Sequence, residues 1–444
     1  MKAEVLTIGD ELLRGEIVDS NKSFLSDRLL ALDIQTHFHS SVRDDRDDMR
    51  DAFRRAIGRA DVVLVSGGLG PTRDDLTTEV LAETLGLDLV RDDASLEAIR
   101  AFFANVGREM ARNNEKQAWF PRGADVLANP IGTAPGFMVA AEGALVFCMP
   151  GVPRELHRMM DEQVLPRIAA RRSAVAGGPS IVVRAALLRT FGIGESSLDA
   201  ELADIANESD VALGFRTAFP DNYLRPLARA ATVAEAEEKL AHLCAAVRER
   251  LGAVVYGEGD DTLEVVVVRA LRERGLTLAT AESCTGGSIA AKLTDVPGSS
   301  ACFRGGVVAY ANDAKVALLG VDAGVLAEHG AVSELVARAM AEGARARFGA
   351  DLALATTGIS GPDGGTEEKP VGLVYIALAS ERGTHCDRFV FPLDRARHRQ
   401  LTTHTALDWV RRSLLGAELA GPTLMRRAGG ASAPSAAAKE RRDG

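Results

Sequence analysis

Twice along this chain, short apolar runs alternate with helical segments. In the first half, residues 5–8, 34–42 and 62–65 read as strands. They are followed by a helix beginning near Ser20, a helix over 47–59, and a glycine-rich turn with a helix from Thr77. Such alternation builds βαβ units and predicts a mostly parallel sheet. Between about 180 and 258 the pattern changes. A β-rich run over 181–188 precedes a helix over 195–206, and an extended stretch over 223–230 precedes a helix over 234–251. From Asp261 the first rhythm returns, with helices over 263–274 and 395–415 and strands over 276–280, 306–309, 352–356 and 372–379. The expected architecture is α/β: two α/β sheet domains, residues 1–172 and 261–417, joined by a small α+β domain, residues 180–258. The stretch 171–180 reads as a linker, and the Ala-, Gly-, Ser- and Arg-rich tail 426–444 as disordered.

The length of 444 residues fits about three domains at roughly 150 residues each. Fifty-two Lys+Arg against 62 Asp+Glu leave a net charge of −10. A protein that mainly binds nucleic acid usually carries a basic domain or stripe, so direct nucleic-acid binding is not expected. The acidic balance does not exclude phosphorylated small molecules, because glycine loops and helix N-termini bind phosphate with little formal charge. Five cysteines without a CxxC pair exclude a zinc ribbon and argue against a disulfide scaffold. The first eight residues read as a strand and not a signal peptide, and no run of about 18 apolar residues occurs. A cytoplasmic protein with no membrane span is expected.

The densest chemistry lies in Thr280-Ala281-Glu282-Ser283-Cys284-Thr285-Gly286-Gly287, where a strand ends and a helix begins. Sites in α/β sheets gather at such strand ends. Ser283 or Cys284 is a candidate nucleophile, and the backbone N–H groups around Cys284, Thr285, Gly286 and Gly287 are candidates to hold an oxyanion or a phosphate. The same residues would also suit a tight strand–helix turn. Downstream, Arg304-Gly305-Gly306-Val307-Val308-Ala309-Tyr310 closes a strand, and Lys315 follows five residues later. A serine–lysine pair needs a partly neutral lysine. Bringing its pKa down from near 10.4 takes burial or a neighbouring cation and roughly 4 kcal/mol, and Arg304 is the candidate neighbour. A solvated helix lysine is the plain alternative. A third cluster, Gly358-Ile359-Ser360-Gly361-Pro362-Asp363-Gly364-Gly365, is a long glycine-rich loop suited to closing over a ligand.

In the first half, Gly9-Asp10 follows the first strand and Ser66-Gly67-Gly68-Leu69-Gly70-Pro71-Thr72-Arg73-Asp74-Asp75 follows the third. The glycine loop offers amides for a phosphate, and Asp10, Asp74 and Asp75 offer oxygen ligands for a hard cation. Asp74 and Asp75 could equally cap the helix that follows. Two further loops, Asn129-Pro130-Ile131-Gly132-Thr133-Ala134-Pro135-Gly136 and 149–155, are too rich in glycine and proline for regular structure.

AESCTGG, RGGVVAYANDAK and TGISGPDGGTEEKPVG, in this order, resemble the C-terminal domain of the CinA (competence/damage-inducible protein A) family, which is similar to nicotinamide mononucleotide deamidase. GDELLRG, SGGLGPTRDDLT, NPIGTAPGF and PGVPREL resemble the molybdopterin-binding domain shared by that family and by molybdenum-cofactor biosynthesis proteins. The resemblance implies that Ser283, Tyr310 and Lys315 hydrolyse nicotinamide mononucleotide to nicotinate mononucleotide and ammonia without a cofactor. For the N-terminal domain it implies cleavage of ADP-ribose to AMP and ribose 5-phosphate, dependent on a divalent cation such as Mg2+ near Asp10, Asp74 or Asp75. It further implies a homodimer. Two other readings stay open: a pterin- or nucleotide-binding protein with one or both sites silent, and an interaction protein in competence or DNA damage.

Overall fold

The computed structural model describes residues 1–176, 181–205 and 210–422. The chain divides into two compact units. One comprises Met1–Arg184 with Ala228–Glu238, the other Ala185–Leu227 with the chain from Lys239 onward.

The first unit is built on a six-stranded sheet of β1 (Lys2–Ile8), β2 (Gln35–Val42), β3 (Val62–Ser66), β6 (Asp125–Leu127), β7 (Gly136–Ala141) and β8 (Ala144–Met149), in the order β2-β1-β3-β8-β7-β6. A two-stranded ribbon, β4 (Leu89–Arg91) and β5 (Trp119–Pro121), stands apart from it. The helices are α1 (Asp10–Leu13), α2 (Ser20–Leu30), α3 (Arg46–Arg59), α4 (Thr77–Leu85), α5 (Asp93–Asn105), α6 (Pro153–Met159) and α7 (Leu165–Ala176). Successive residues of a strand point to opposite faces, and here both faces are covered. Leu6, Val63, Val65 and Val146 pack with Met49 and Phe53 of α3, while Val5, Leu64 and Phe147 pack with Leu25 and Leu29 of α2 and Leu156 of α6.

In a further sheet, β10 (Leu188–Thr190), β11 (Val211–Ala218), β12 (Asp221–Ala230) and β13 (Val255–Glu258) run in the order β11-β12-β10-β13, with β9 (Val182–Ala185) off this path. Helices α8 (Glu195–Leu202) and α9 (Val233–Leu251) accompany them, and Leu188, Leu198, Leu224 and Val247 form their core. The main sheet of the second unit follows: β14 (Leu278–Glu282), β15 (Phe303–Val308), β16 (Leu352–Gly358), β17 (Leu373–Ser380) and β18 (Gly383–Val390), ordered β15-β14-β16-β17-β18. Its helices are α10 (Leu263–Arg274), α11 (Ser288–Thr294), α12 (Asn312–Leu319), α13 (Ala323–His329), α14 (Glu334–Phe348) and α15 (Arg395–Leu415). The strands alternate large and small. Leu278, Leu352, Leu354, Ile376 and Leu378 meet Val267 of α10 and Leu401 and Trp409 of α15. Ala279, Ala281, Ala353, Ala355, Ala377 and Ala379 meet Val336, Met340 and Ala344 of α14.

The first sheet is mostly parallel, as expected, with β2–β1, β1–β3 and β3–β8 parallel, while the second is evenly mixed; both carry antiparallel pairs at one side. β8–β7 and β7–β6 are antiparallel in the first, β16–β17 and β17–β18 in the second. The second hairpin arises because Ser380-Glu381-Arg382-Gly383 turns the chain back before any helix can form. The supposed linker 171–180 is helix through Ala176, as α7 continues to that residue. Residues 177–180 and the tail 426–444 lie outside the described residues.

Candidate active sites

β14 is a central strand, and the chain leaves it directly into Ser283. Strand β15 lies parallel beside β14, so its exit through Ala309 and Tyr310 reaches the same end of the sheet. Helix α12 then returns Lys315 to the strand ends. The Nζ of Lys315 lies 3.2 Å from Ser283 Oγ, 2.9 Å from Ala309 O and 3.1 Å from Tyr310 O. Lys315 is 1% exposed and Ser283 8%. Burial pushes the Lys315 ammonium below the ordinary lysine range, opposed by the nearby Cys284 thiol. A neutral amine has two N–H groups and one lone pair. Nζ donates to the two backbone carbonyls and to Ser283 Oγ, which places it to exchange a proton with that hydroxyl once it is neutral. Cys284 is the worse candidate, since burial raises its thiol to about 12 and leaves it protonated.

Glu282, fully buried, settles what the following turn can bind. Its carboxylate accepts from Ile289 N at 3.1 Å and Ala290 N at 2.9 Å. Ser283 N donates to Thr356 O, Gly286 N to Ser283 O and Ser288 N to Thr285 O. The first turn of α11 is thus capped from within the protein, and of the candidate N–H groups at Cys284, Thr285, Gly286 and Gly287 that of Gly286 is taken by Ser283 O. Thr285 is buried against Thr356 through a 2.7 Å hydroxyl pair. Arg399 of α15 donates to Thr285 O at 2.8 Å and to Ser288 Oγ at 3.2 Å, and so holds the Gly286-Gly287 turn.

Tyr310 is 60% exposed, and its hydroxyl accepts from Arg395 Nη2 at 3.0 Å. Arg395 Nη1 also donates to Gly361 O at 2.9 Å, tying the loop after Gly358 to the strand exit. Ser360 in that loop is 6% exposed, and its Oγ has no partner among the described residues. Arg304 does not join this group. It lies exposed at the start of β15, beside the start of β14, and a strand rises about 3.3 Å per residue, so it stands at the opposite sheet edge. Burial and not a cation therefore lowers Lys315.

The other group sits where β1, β3, β6 and β8 end on one edge of the first sheet. Gly67 has φ 107, and a Cβ there would lie 2.3 Å from Ile8 O, so only glycine lets this loop cross the end of β1. Asn21 Nδ2 donates to Ser66 Oγ at 2.9 Å and to Gly151 O at 2.8 Å, joining the exits of β3 and β8. The Thr77 hydroxyl donates to Gly67 O at 2.8 Å, fixing Gly67 and Gly68 against α4. Gln117 Nε2 donates to Leu69 O and to Thr133 Oγ1, linking the loop that ends at Gly70 to the loop of Asn129 and Gly132. Thr72 N donates to Asp75 Oδ2 at 2.8 Å, and the Thr72 hydroxyl donates to both Asp74 and Asp75. That hydroxyl holds Asp74 below its usual range. Neither aspartate caps α4, whose N-cap is Leu76 without a side-chain bond.

Asp10 Oδ2 accepts from Arg14 at 2.5 Å. Burial raises Asp44, and Asp10, Glu11 and Asp74 add like charge against an opposing bond from Asp10 N. Carboxylates thus share this neighbourhood. Yet among the described residues no three or more His, Cys, Asp or Glu side chains converge as a metal site. Asp74 and Asp75 lie side by side on the Thr72 hydroxyl, and a Mg2+ held there would take one or two carboxylates with the remaining ligands from phosphate and water.

Residues 260–414 match the CinA C-terminal domain, residues 4–170 a "Probable molybdopterin binding domain", and residues 186–257 the damage-inducible protein CinA KH domain. A CinA-like protein of Geobacter sulfurreducens is 46% identical over 419 residues, covering 94% of this chain and 100% of its own. The chain belongs to the CinA family. A "Putative competence-damage inducible protein" of Symbiobacterium thermophilum is 46% identical over 427 residues, 94% of this chain and 99% of its own. Among solved structures, the competence/damage inducible protein CihA of Agrobacterium tumefaciens is 42% identical, covering 34% of this chain and 93% of its own at a TM-score of 0.33. Among the described residues, no helix is long and apolar enough to cross a membrane.

Within this CinA-family chain, sequence reasoning missed Glu282, Arg395, Arg399 and Asn21 as site-building residues. Glu282 and Asn21 stand inside quoted or neighbouring stretches, but only the fold shows what they hold. The two arginines carry no sequence signal: Arg399 lies 114 residues from Thr285, and Arg395 lies 34 residues from Gly361 and 85 from Tyr310.

Proposed function

We propose that the C-terminal site hydrolyses nicotinamide mononucleotide to nicotinate mononucleotide and ammonia. The observation that carries this reading is the buried Lys315 Nζ within hydrogen-bond distance of Ser283 Oγ and of two backbone carbonyls. Ser283 Oγ attacks the carboxamide carbon while Lys315 takes the hydroxyl proton. The C–N bond breaks, the proton passes to the leaving nitrogen, and ammonia departs. Water, deprotonated by Lys315, then cleaves the acyl ester and restores Ser283. Tyr310, exposed with its hydroxyl bonded to Arg395, is the second group that this reading assigns to handling protons beside Lys315. Ammonia release from nicotinamide mononucleotide, measured beside Ser283→Ala and Lys315→Met, tests it. Activity in the wild type with loss in both variants is expected, and a folded wild type that releases no ammonia refutes it.

The proposal extends to the N-terminal site as an ADP-ribose hydrolase in a cytoplasmic homodimer. Support comes from the glycine loop at the sheet edge with a second loop tied to it through Gln117. The alternative is a domain that only binds a pterin or nucleotide. Release of AMP from ADP-ribose, with and without Mg2+, separates the two and tests the cation requirement.

A further inference from the structure

The edge of the first sheet holds a carboxylate that the reading above leaves unused. Glu155 lies in the first turn of α6, and its side chain reaches the loop that follows β6. Asn129 Nδ2 donates to Glu155 Oε2 at 2.6 Å and to Ala134 O at 2.9 Å, so one amide fixes both the carboxylate and the loop. Gly132 runs directly against the carboxylate. A Cβ at Gly132 would lie 2.2 Å from Oε2 and 2.5 Å from Oε1, so the missing side chain is the space the carboxylate occupies. One residue on, Thr133 is joined through Gln117 to Leu69 of the glycine loop. The carboxylate is thereby anchored to the loop suited to the diphosphate.

The surroundings also set its basicity. The loop presents the Asn129 amide and the Gly132 backbone to Glu155. On its own helix Arg154 and Arg158 are exposed, and Arg158 is paired with Glu162 at 2.9 Å. Burial pushes the Glu155 carboxyl above the ordinary glutamate range, with the Asn129 hydrogen bond opposing. A carboxylate with its affinity raised toward neutrality is a better proton acceptor than one held low by arginine.

We propose that Glu155 is the general base of the N-terminal reaction, taking a proton from the water that attacks the diphosphate. This rests on the ADP-ribose reading of the site. A bond forms between the water oxygen and one phosphorus. The bridging P–O bond breaks, and its electron pair leaves on the bridging oxygen of the departing phosphate monoester. The water proton goes to the Glu155 carboxylate and then to solvent. AMP and ribose 5-phosphate account for all atoms.

The test compares full-length wild type with Glu155→Gln and Glu155→Asp, measuring AMP formation and, by calorimetry, ADP-ribose binding. Glu155→Gln keeps an oxygen for Asn129 to donate to. Its kcat should fall about 10²–10⁴-fold, with binding changed by no more than about threefold. Glu155→Asp should retain part of the activity. Wild-type kcat/KM should fall with acid along a limb above the ordinary glutamate range, since the base must be ionised, and this measurement needs no variant. An active wild type with Glu155→Gln within about threefold of it, or an acid limb at the ordinary carboxylate position, overturns the role of Glu155 alone. A wild type that binds ADP-ribose without cleaving it overturns the ADP-ribose hydrolase reading and this inference with it.

Discussion

At the scale of single residues, the C-terminal site buries a lysine whose charged form burial disfavours. Removing an ammonium from water is costly unless it is paired or loses its proton, and Lys315 has carbonyls and a hydroxyl around it but no carboxylate in contact. Its folded pKa is depressed while the unfolded value is ordinary. The unfolded chain therefore binds the extra proton between those two values. The penalty is fully present below the folded pKa and disappears as pH rises to the ordinary lysine range. Lys315→Met should accordingly gain more stability over wild type near about pH 6 than near about pH 10, while losing ammonia release at both. Thermal unfolding at the two pH values checks this, and equal shifts would contradict a depressed Lys315. Glu282 makes the complementary case. Glu282→Gln keeps the size but can accept through one oxygen only, leaving one N–H of α11 facing an amide donor. A loss of about 1–3 kcal/mol in urea unfolding is expected, together with weaker deamidation as the Ser283 turn loosens.

Much of this site was legible as residue types and little as contacts. Ser283 and Lys315 are 32 residues apart, and only the parallel pairing of β14 with β15 returns them to one sheet end. The sequence resemblance named both residues. It could not show that burial, and not Arg304, sets the lysine, because a strand residue's distance from the sheet end depends on register. Arg395 and Arg399 were invisible for the same reason, since their helix was read correctly over 395–415 but its docking was not.

At the scale of elements, periodicity served helices best. The helix over 263–274 was read at its true limits, as Thr262 and Gly275 flank a pattern of apolar residues at helical spacing. β18 was missed because Gly383-Thr384-His385-Cys386-Asp387-Arg388-Phe389-Val390 is an edge strand with few apolar positions facing the core. The alternation in β14, β16 and β17 has a consequence that composition alone hides. One face is mostly alanine, which lets α14 approach with Val336 and Met340 packed against it. Ala355 is fully buried under that helix. Ala355→Leu adds volume at a fully buried position packed against α14 and should cost about 1–3 kcal/mol by urea unfolding. Leu354→Ala, on the opposite face of the same strand, should cost about 2–5 kcal/mol by leaving a cavity among larger side chains. A neutral Ala355→Leu would show that α14 is free to move outward.

At the scale of the whole molecule, the two candidate sites share no residue, and each draws on its own core. Ser66, Gly67, Asn129 and Glu155 are set by strands packed on Phe53 and Leu25, while Ser283 and Lys315 are set by strands packed on Trp409 and Met340. Substitutions without shared partners act additively, so the two reactions should be separable within one chain. Ser283→Ala should reduce ammonia release by about 10³-fold or more and leave AMP formation within about twofold of wild type. Glu155→Gln should do the reverse, and the double variant should show both losses with no further penalty. Both assays run on the same preparations decide it. A Ser283→Ala protein that loses AMP formation as strongly as ammonia release would mean that the two activities depend on a common structural state, and the two-site reading would have to give way to a coupled one.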